Sequence, residues 1–219
     1  MSHPFEAQLA HIRETLLTMS TLTDRNLSLA VQAVVERNDA LANTVEKTDS
    51  EIDQLEVTLD DLVVTYMATH GPVARDSRTM LITSKISNNL ERIADQATTI
   101  ARRARALNLE PQMIEIDDIA HMARLTQTFL HDAITAFVEE NLELAQSVIP
   151  RDKEIDALNK SMAAKLIGLM MESPSNVTRA VHLMTISKAI ERAADHVQNI
   201  AEDVFYLYRG QDIRHEHTV

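Results

Sequence analysis

Two pairs of acidic residues, separated by one hundred positions, are the residues of this chain best placed to do chemistry. Each pair lies in the sequence Glu-Arg-x-Ala-Asp, with Glu91 and Asp95 in the first copy and Glu191 and Asp195 in the second. Residues four apart in a helix project from the same side, so each pair places two carboxylates next to each other. Because like charges at that spacing repel, the pairs predict a cation or a basic neighbour between the carboxylates.

A second set of acids with the same spacing lies upstream in each half. If its helix packs antiparallel against the helix that carries Glu-Arg-x-Ala-Asp, four carboxylates meet in one groove. Oxygen ligands without thiolate suit hard or borderline cations, namely Mg²⁺, Mn²⁺ or iron, in the divalent or trivalent state. The sequence therefore predicts one metal site in each half. The predicted ligands are Asp49, Asp53, Glu91 and Asp95 in the first half, and Asp152, Asp156, Glu191, Asp195, Asn199 and Glu202 in the second.

Neighbouring residues modify this prediction. Arg92 and Arg192 follow the two glutamates and could neutralise them as salt bridges. His196 is a further candidate ligand, although a surface histidine more often binds nothing. The second acidic face continues through Asn199, Glu202 and Asp203, where the first half has Thr99, Arg102 and Arg103. We therefore expect the second site to hold a cation more tightly.

The apolar residues around these acids indicate long bundle helices. In both 86–107 and 186–207 they recur at alternating intervals of four and three residues, which is the pattern of a helix with one buried seam. Glu91 and Asp95 fall away from that seam. The sequence thus predicts that the acids lie at the surface, outside the core.

The chain is an internal duplication. A shift of 103 aligns 27–53 with 130–156, with 13 of 27 positions identical, and a shift of 100 aligns 86–101 with 186–201, with 8 of 16 identical. An alignment that stays in register over segments of this length indicates a repeated structural unit. We expect an all-α fold of two tandem three-helix bundles, spanning 1–110 and 111–210, with a flexible tail at 211–219.

Residues that typically begin or end helices indicate where the helices lie within each unit. The predicted helices cover 5–37, 45–69 and 73–107 in the first unit, and 116–140, 147–171 and 176–208 in the second. Asn38 and Asn141 are predicted caps or kinks where the chain bends. Gly71-Pro72 and Ser173-Pro174 are the predicted turns before the third helices, and Glu110-Pro111 is the predicted unit boundary.

Composition supports this class and excludes others. The 219 residues include three glycines, five prolines and 3% aromatics, which suits helices and disfavours a sheet. The absence of cysteine excludes disulfides and thiolate metal sites. A net charge of −12 disfavours nucleic-acid binding, and it fits cation binding, a basic partner or solubility alone. Residues 1–14 lack the apolar stretch of a signal peptide, so we expect a soluble, cytoplasmic protein.

The strings LERIAD and IERAADHVQNIAED, the duplicated unit, and the turn containing Pro72, Arg75, Asp76 and Arg78 resemble the PhoU family of bacterial phosphate-uptake regulators. The resemblance covers almost the whole chain. It implies two three-helix bundles with metal ions at the acid pairs, present as iron clusters in some members. It also implies a non-enzymatic adaptor, peripheral to the membrane at most, between the ATPase of the phosphate ABC transporter and a sensor histidine kinase, which silences the phosphate-starvation response. A homodimer remains open.

Two other functions remain as alternatives. A di-iron carboxylate oxidase on a helical bundle needs inward-facing Glu-x-x-His pairs, and none of the nine histidines follows a glutamate at that spacing. A purely structural helical scaffold requires only that the acids be solvated. No phosphate-binding glycine loop, nucleophile elbow or His-Glu-x-x-His sequence is present. The prediction is therefore a regulatory protein that is not an enzyme.

Overall fold

The computed structural model describes residues 4–112 and 117–210, and within them it contains helices and no strand. The predicted all-α fold is confirmed. Three long helices form the first unit, and the second unit repeats them with its middle helix divided in two. The helices are α1 (Pro4–Val35), α2 (Asp39–His70), α3 (Ala74–Asn108), α4 (Asp117–Val138), α5 (Leu142–Val148), α6 (Asp152–Glu172) and α7 (Val177–Arg209).

The two asparagine caps lie where the sequence predicts them. The side-chain oxygen of Asn38 accepts from the Ala40 backbone N–H at 3.0 Å, and that of Asn141 accepts from the Leu144 N–H at 3.0 Å. Each asparagine thus satisfies a backbone donor that the first helical turn leaves unpaired. The helix α2 therefore begins directly after its cap at Asp39. The prediction of a start at residue 45 is wrong because it followed the apolar rhythm and ignored the cap.

The middle helix of the second unit is not continuous, so the prediction of one helix over 147–171 is wrong. A 3-10 turn, Ile149–Arg151, separates α5 from α6. Pro150 lies in this turn, and its missing N–H and its ring disfavour a regular α-helix. The aligned residue of the first unit is Lys47, and α2 runs through that position without interruption.

The other predicted ends agree with the structure where it describes them. Gly71, with φ 52°, and Gly210, with φ 73°, end α2 and α7 in the left-handed conformation that glycine adopts without steric cost. A second 3-10 turn, Pro174–Asn176, lies at the predicted Ser173-Pro174 turn. The predicted helix start at 116 and the tail 211–219 lie outside the described residues.

The third helices, α3 and α7, form the centre of the molecule and pack against each other over their length. Their contacts pair Lys85 with Asp203 and Asn89 with His196, so the two helices run antiparallel. Each third helix also packs on the other helices of its own unit. The first helices of the two units, α1 and α4, contact each other as well. The predicted seam is the core: Ile86, for example, is fully buried. None of the described helices is long and apolar enough to cross a membrane.

Candidate functional site

The α2–α3 face of the first unit carries a row of acids, most of which face a hydrogen-bond donor. At one end of the row Asp60 accepts from Ser84 at 2.7 Å and Glu56 accepts from Asn88 at 3.1 Å. At the other end Glu46 pairs with Arg105 at 2.6 Å. Paired in this way, each acid is satisfied without a metal ion.

In the middle of this row the pattern reverses, and acids oppose acids. Asp49 and Asp53 of α2 lie close enough to Glu91 and Asp95 of α3 for repulsion between the helices to act on Asp49 and Glu91, and a shared metal site at these four residues stays a prediction. Burial, followed by repulsion from Asp95, raises the pKa of Glu91 from 4.5 to about 7. Burial, followed by repulsion from Asp53, also raises the pKa of Asp49. Such shifts indicate a concentration of negative charge that an added cation would stabilise.

Glu91 has an incompletely satisfied carboxylate. Its side chain is only 15% exposed, and its Oε2 is buried and accepts no hydrogen bond from a described residue. The nearest cation is Arg92, whose Nε lies 3.3 Å from that oxygen and whose Nη1 lies 3.4 Å from Asp95 Oδ2. Arg92 is about half exposed, so its attraction is weakened by solvent. A buried oxygen without a donor is a suitable ligand for a cation.

The second unit repeats the arrangement with one additional cation. Burial, followed by repulsion from Glu191, raises the pKa of Asp195 to about 6, and Asp156 and Asp152 of α6 act in the same direction. Burial also raises the pKa of Asp152 itself. Glu191 is the residue that Lys188 holds, with Nζ 2.5 Å from Oε2. That oxygen is buried and, despite the ion pair, lacks a well-aligned hydrogen bond from a described residue.

The prediction that these acids all face outward is wrong for the glutamates. Glu191 is only 7% exposed, whereas Asp195 is exposed. Because α7 packs against α3 and α4 as well as α6, its buried arc is wider than the seam that the sequence shows. Each unit therefore holds its glutamate between two helices and its aspartate nearer to water.

The carboxylate oxygens of these residues are of the type that binds hard cations. Their side chains, however, would have to rearrange to bind one. In each unit, acids of two neighbouring helices repel one another, and one glutamate oxygen is buried without a hydrogen bond from a described residue. In residues 4–112 and 117–210, however, no three acidic or histidine side chains stand close enough together to hold an ion as placed. Arg92 and Lys188 occupy the carboxylates instead, and an entering ion would have to displace them.

Three other predicted residues lie in different surroundings. Asn199 lines a cleft that it shares with Glu56 and Asp60 of the first unit. Glu202 accepts from Gln198 at 3.0 Å. The expectation that Asp203 extends the exposed acidic face is wrong, because Asp203 is 5% exposed and pairs with Lys85 of the first unit at 2.9 Å.

His196 and Arg102, the neighbours of the acids named in the sequence analysis, make contacts between helices. His196 lies with Nδ1 3.0 Å from Asn89 Oδ1, across the boundary between the units, in a geometry that requires the ring N–H to donate. Arg102 pairs with Glu46 at 3.4 Å. The contribution of Lys188 was missed by sequence reasoning. The signal that could have revealed it is the replacement of Asn88 by Lys188 beside an otherwise repeated motif.

A family model described as the PhoU domain matches residues 16–104 and 119–204. One matched segment lies in each helical unit, so the match follows the duplication. Together the two segments span well over half of the chain.

Similar proteins and solved structures carry the same name. A Pseudomonas putida protein named phosphate-specific transport system accessory protein PhoU homolog is 36% identical over 98% of this chain and 84% of its own length. The Escherichia coli phosphate-specific transport system accessory protein PhoU is 31% identical over 98% of this chain and 89% of its own length. The crystal structure of PhoU from Pseudomonas aeruginosa superposes with a TM-score of 0.92 at 34% identity, covering 94% of this chain and all of that one. The phosphate transport system regulatory protein PhoU from Streptococcus pneumoniae has a TM-score of 0.87 at 25% identity, over 95% of this chain and 98% of that one.

Proposed function

The chain belongs to the PhoU family, and from that premise we propose that it is a non-enzymatic accessory protein of a phosphate ABC transporter. In this role it restrains phosphate uptake and silences the phosphate-starvation response. The observation that carries this proposal is the likeness to the accessory proteins named above, which extends over both helical units and nearly the whole chain.

The adaptor role has two partners, the ATPase of the transporter and a sensor histidine kinase. Both would be met at the cytoplasmic side of the membrane, with the chain peripheral to the bilayer. A duplicated bundle with two similar but differently charged faces offers separate surfaces to two partners. A homodimer is compatible with this role and is an additional proposal.

The metal half of the proposal rests on the opposed carboxylates. Asp49, Asp53, Glu91 and Asp95 would hold a cation in the first unit, and Asp152, Asp156, Glu191 and Asp195 in the second. The ion, Mg²⁺, Mn²⁺ or iron, would neutralise the repulsion that raises the pKa values of Glu91 and Asp195. Bound between two helices, it would fix their separation and so the shape of the surface that a partner meets.

A genetic experiment tests the regulatory role. In a strain that lacks this gene, a reporter of phosphate starvation is measured during growth in ample phosphate. We expect the reporter to be on, and the wild-type gene to silence it. A deletion strain that remains silent, with an intact transporter and kinase, contradicts the accessory role.

The same strain separates metal binding from a passive scaffold. A gene carrying Glu91→Gln, Asp95→Asn, Glu191→Gln and Asp195→Asn is expected to fail to silence the reporter. The matched control carries Glu51→Gln, Asp61→Asn, Glu154→Gln and Glu172→Gln, four exposed acids of α2 and α6 outside the cluster. If the fourfold variant silences as well as the control, the carboxylates are dispensable and the scaffold alternative is correct.

A further inference from the structure

Two equivalent clefts between α3 and α7 differ in charge. The first, which we call the Asp203 cleft, has a volume of about 460 Å³ and includes Glu56, Asp60, Lys85 and Asp203 in its lining. The second, the Arg192 cleft, has a volume of about 470 Å³, and the charged residues of its lining are Lys188 and Arg192. The duplication relates one cleft to the other, so they differ by sequence and share their geometry. In a chain of net charge −12, a cleft lined by cations without an acid is unexpected.

The difference begins with an ion pair that only one cleft can form. In the Asp203 cleft, Lys85 of α3 and Asp203 of α7 pair at 2.9 Å across the boundary between the units. The equivalent positions at the Arg192 cleft are Thr185 and Arg103, which cannot form an ion pair. Arg103 is exposed, so this side of the molecule has no buried counterpart of Asp203.

A second sequence difference between the two units leaves Arg192 without an acidic partner in the part of the chain that the structure describes. In the first unit, Arg92 is occupied by Glu91 and Asp95. In the second unit, Lys188 takes the equivalent glutamate, Glu191, at 2.5 Å. Arg192 then makes no ion pair or hydrogen bond with any described residue. Arg192 is one of the residues that line the cleft.

The uncharged donors beside Arg192 are also available. Gln96 and Thr99 of α3 line the same cleft, and within the described chain neither side chain makes a hydrogen bond. A guanidinium with a nearby amide and hydroxyl is a donor set for an oxyanion, and the planar fork of arginine matches the two oxygens of a carboxylate. The charge and the donors together specify an anionic ligand.

The apolar part of the cleft identifies the kind of anion. Val181, which is 48% exposed, and the half-buried Met184 line it, with Ala189 buried beneath them. A small inorganic anion would leave these surfaces in water and would be held by an open, solvent-screened cation. A protein segment that presents a carboxylate beside apolar side chains would use both parts, as buried anchors with charged neighbours do at interfaces.

We propose that the Arg192 cleft is a docking site for an acidic, partly apolar segment of a partner protein, with Arg192 binding a carboxylate of that segment. The inference rests on the proposed accessory function, because the transporter complex is the partner in which the segment is sought. The Asp203 cleft, where the chain pairs its own charges, does not have this role. The surface thus distinguishes the second unit from the first.

The test measures the dissociation constant of the full-length protein for the phosphate transporter complex in lipid nanodiscs. Arg192→Glu is compared with Arg25→Glu, which makes the same charge change at an exposed residue of α1. We expect Arg192→Glu to weaken binding about tenfold or more, because it places a carboxylate against a carboxylate, and Arg25→Glu to change it less than about twofold. Arg192→Lys is expected to be intermediate, since it keeps the charge and loses the fork. Circular dichroism establishes that the variants are folded.

The outcomes separate the two proposals. If wild-type protein does not bind the transporter, the proposed accessory function fails. If wild-type protein binds and Arg192→Glu binds equally well, the docking site alone is wrong. A photo-crosslinker at Thr185 is expected to capture a transporter segment rich in Asp and Glu, and capture of a basic segment contradicts the proposal. Binding of inorganic phosphate that Arg192→Gln abolishes, with transporter binding unchanged, identifies a small-anion site and overturns it.

Discussion

At the scale of single residues, the carboxyl of Glu91 is the group whose charge is least compatible with its surroundings. It is partly buried, faces Asp95 and Asp53, and has Arg92 as its nearest cation. Those surroundings disfavour the ionised form and raise the pKa to about 7. The same properties make the group a candidate metal ligand and a source of instability when no metal is present.

Replacing Glu91 by glutamine should stabilise the metal-free protein at high pH. The native pKa of about 7 exceeds the ordinary 4.5, so between these values the folded state binds the proton more tightly than the unfolded chain. The free energy of unfolding therefore falls as pH rises through this interval. Glu91→Gln removes this dependence, and we expect it to be about 1–2 kcal/mol more stable than wild type at pH 8.

The measurement is urea unfolding in the presence of a chelator at pH 4.5 and pH 8. Near pH 4.5 the two proteins should differ little in stability, because wild-type Glu91 is then protonated in the folded state and about half protonated in the unfolded chain. Glu51→Gln, an exposed substitution on α2, is the control and should leave the pH dependence unchanged. A Glu91→Gln variant less stable than wild type at pH 8 would show that Arg92 outweighs the repulsion.

Sequence reasoning reached these carboxylates through spacing and duplication. It could place Glu91 and Asp95 on one side of a helix because that depends only on helical period. It could not predict the burial of Glu191 or the pairing of Lys188 with it, since both depend on how closely neighbouring helices approach. Spacing alone therefore predicts which acids are neighbours, and it does not show that Arg92 and Lys188 pair with them.

At the scale of elements, the first turn of each unit uses a non-glycine residue in the left-handed conformation. Arg37 has φ 53° and Glu140 has φ 56°, and they occupy equivalent positions just before the asparagine caps. A side chain in this region costs roughly 1 kcal/mol, which glycine would avoid. The tertiary contacts of the two side chains differ, so the same substitution should have different effects.

We expect Arg37→Gly to lower the free energy of unfolding by about 1 kcal/mol and Glu140→Gly to leave it unchanged or raise it slightly. Arg37 donates to the carbonyl oxygens of Asn108 at 2.9 Å and Glu110 at 2.6 Å, at the end of α3. The free energy lost with these two hydrogen bonds exceeds the free energy gained by relieving the backbone strain. Within residues 4–112 and 117–210, the Glu140 side chain pairs only with Arg75, and this solvent-exposed ion pair contributes little.

Chemical denaturation of the two variants provides the comparison. Arg37→Ala and Glu140→Ala are the controls, because they remove the same side-chain contacts and keep the strained backbone. If Glu140→Gly proves clearly less stable than Glu140→Ala, the left-handed conformation is not the determining feature at this turn.

The elements themselves were largely predictable, and the errors have local causes. Caps, turns and apolar rhythm are short-range signals, so they placed most helix ends correctly. The division between α5 and α6 was missed because the duplication suggested a continuous helix in both units. Pro150, at the position equivalent to Lys47, indicated instead that the helix is interrupted in the second unit.

At the scale of the whole molecule, one ion pair joins the two units at the Asp203 cleft. Asp203 has a side chain only 7% exposed, and Lys85 reaches it from the other unit with 31% of its own side chain exposed. Removing the lysine takes a cation from a buried carboxylate, which is more costly than losing a surface pair. The contact therefore contributes to how firmly α3 is held against α7.

Lys85→Met should lower the free energy of unfolding by about 2 kcal/mol, and Asp203→Asn should partly restore stability in the double variant. A double-mutant cycle by thermal or urea unfolding measures the coupling, which we expect to be about 1 kcal/mol or more. Lys47→Met, an exposed lysine of α2, controls for the change in net charge. Additive effects in the cycle would mean that the pair does not stabilise the interface.

The duplication was evident from the sequence, and the way the two units meet was not. Residues matched between the copies report shared structure within each unit. Contacts such as Lys85–Asp203 and His196–Asn89 join residues that are not matched, so no repeat signal reveals them. The contrast between the two clefts became visible only when α3 and α7 were placed side by side.

Each helical unit is expected to hold a hard cation between its opposed carboxylates. Dialysing the full-length protein against Mn²⁺ and measuring bound metal per chain by elemental analysis tests this expectation. We predict that wild type binds metal in both units, that Glu91→Gln/Asp95→Asn and Glu191→Gln/Asp195→Asn each lose part of it, and that binding is tighter at pH 8 than at pH 6 because protons compete for the carboxylates. Wild-type protein that binds no Mn²⁺, Mg²⁺ or iron, with an unchanged melting temperature in their presence, would show that these carboxylates hold no cation.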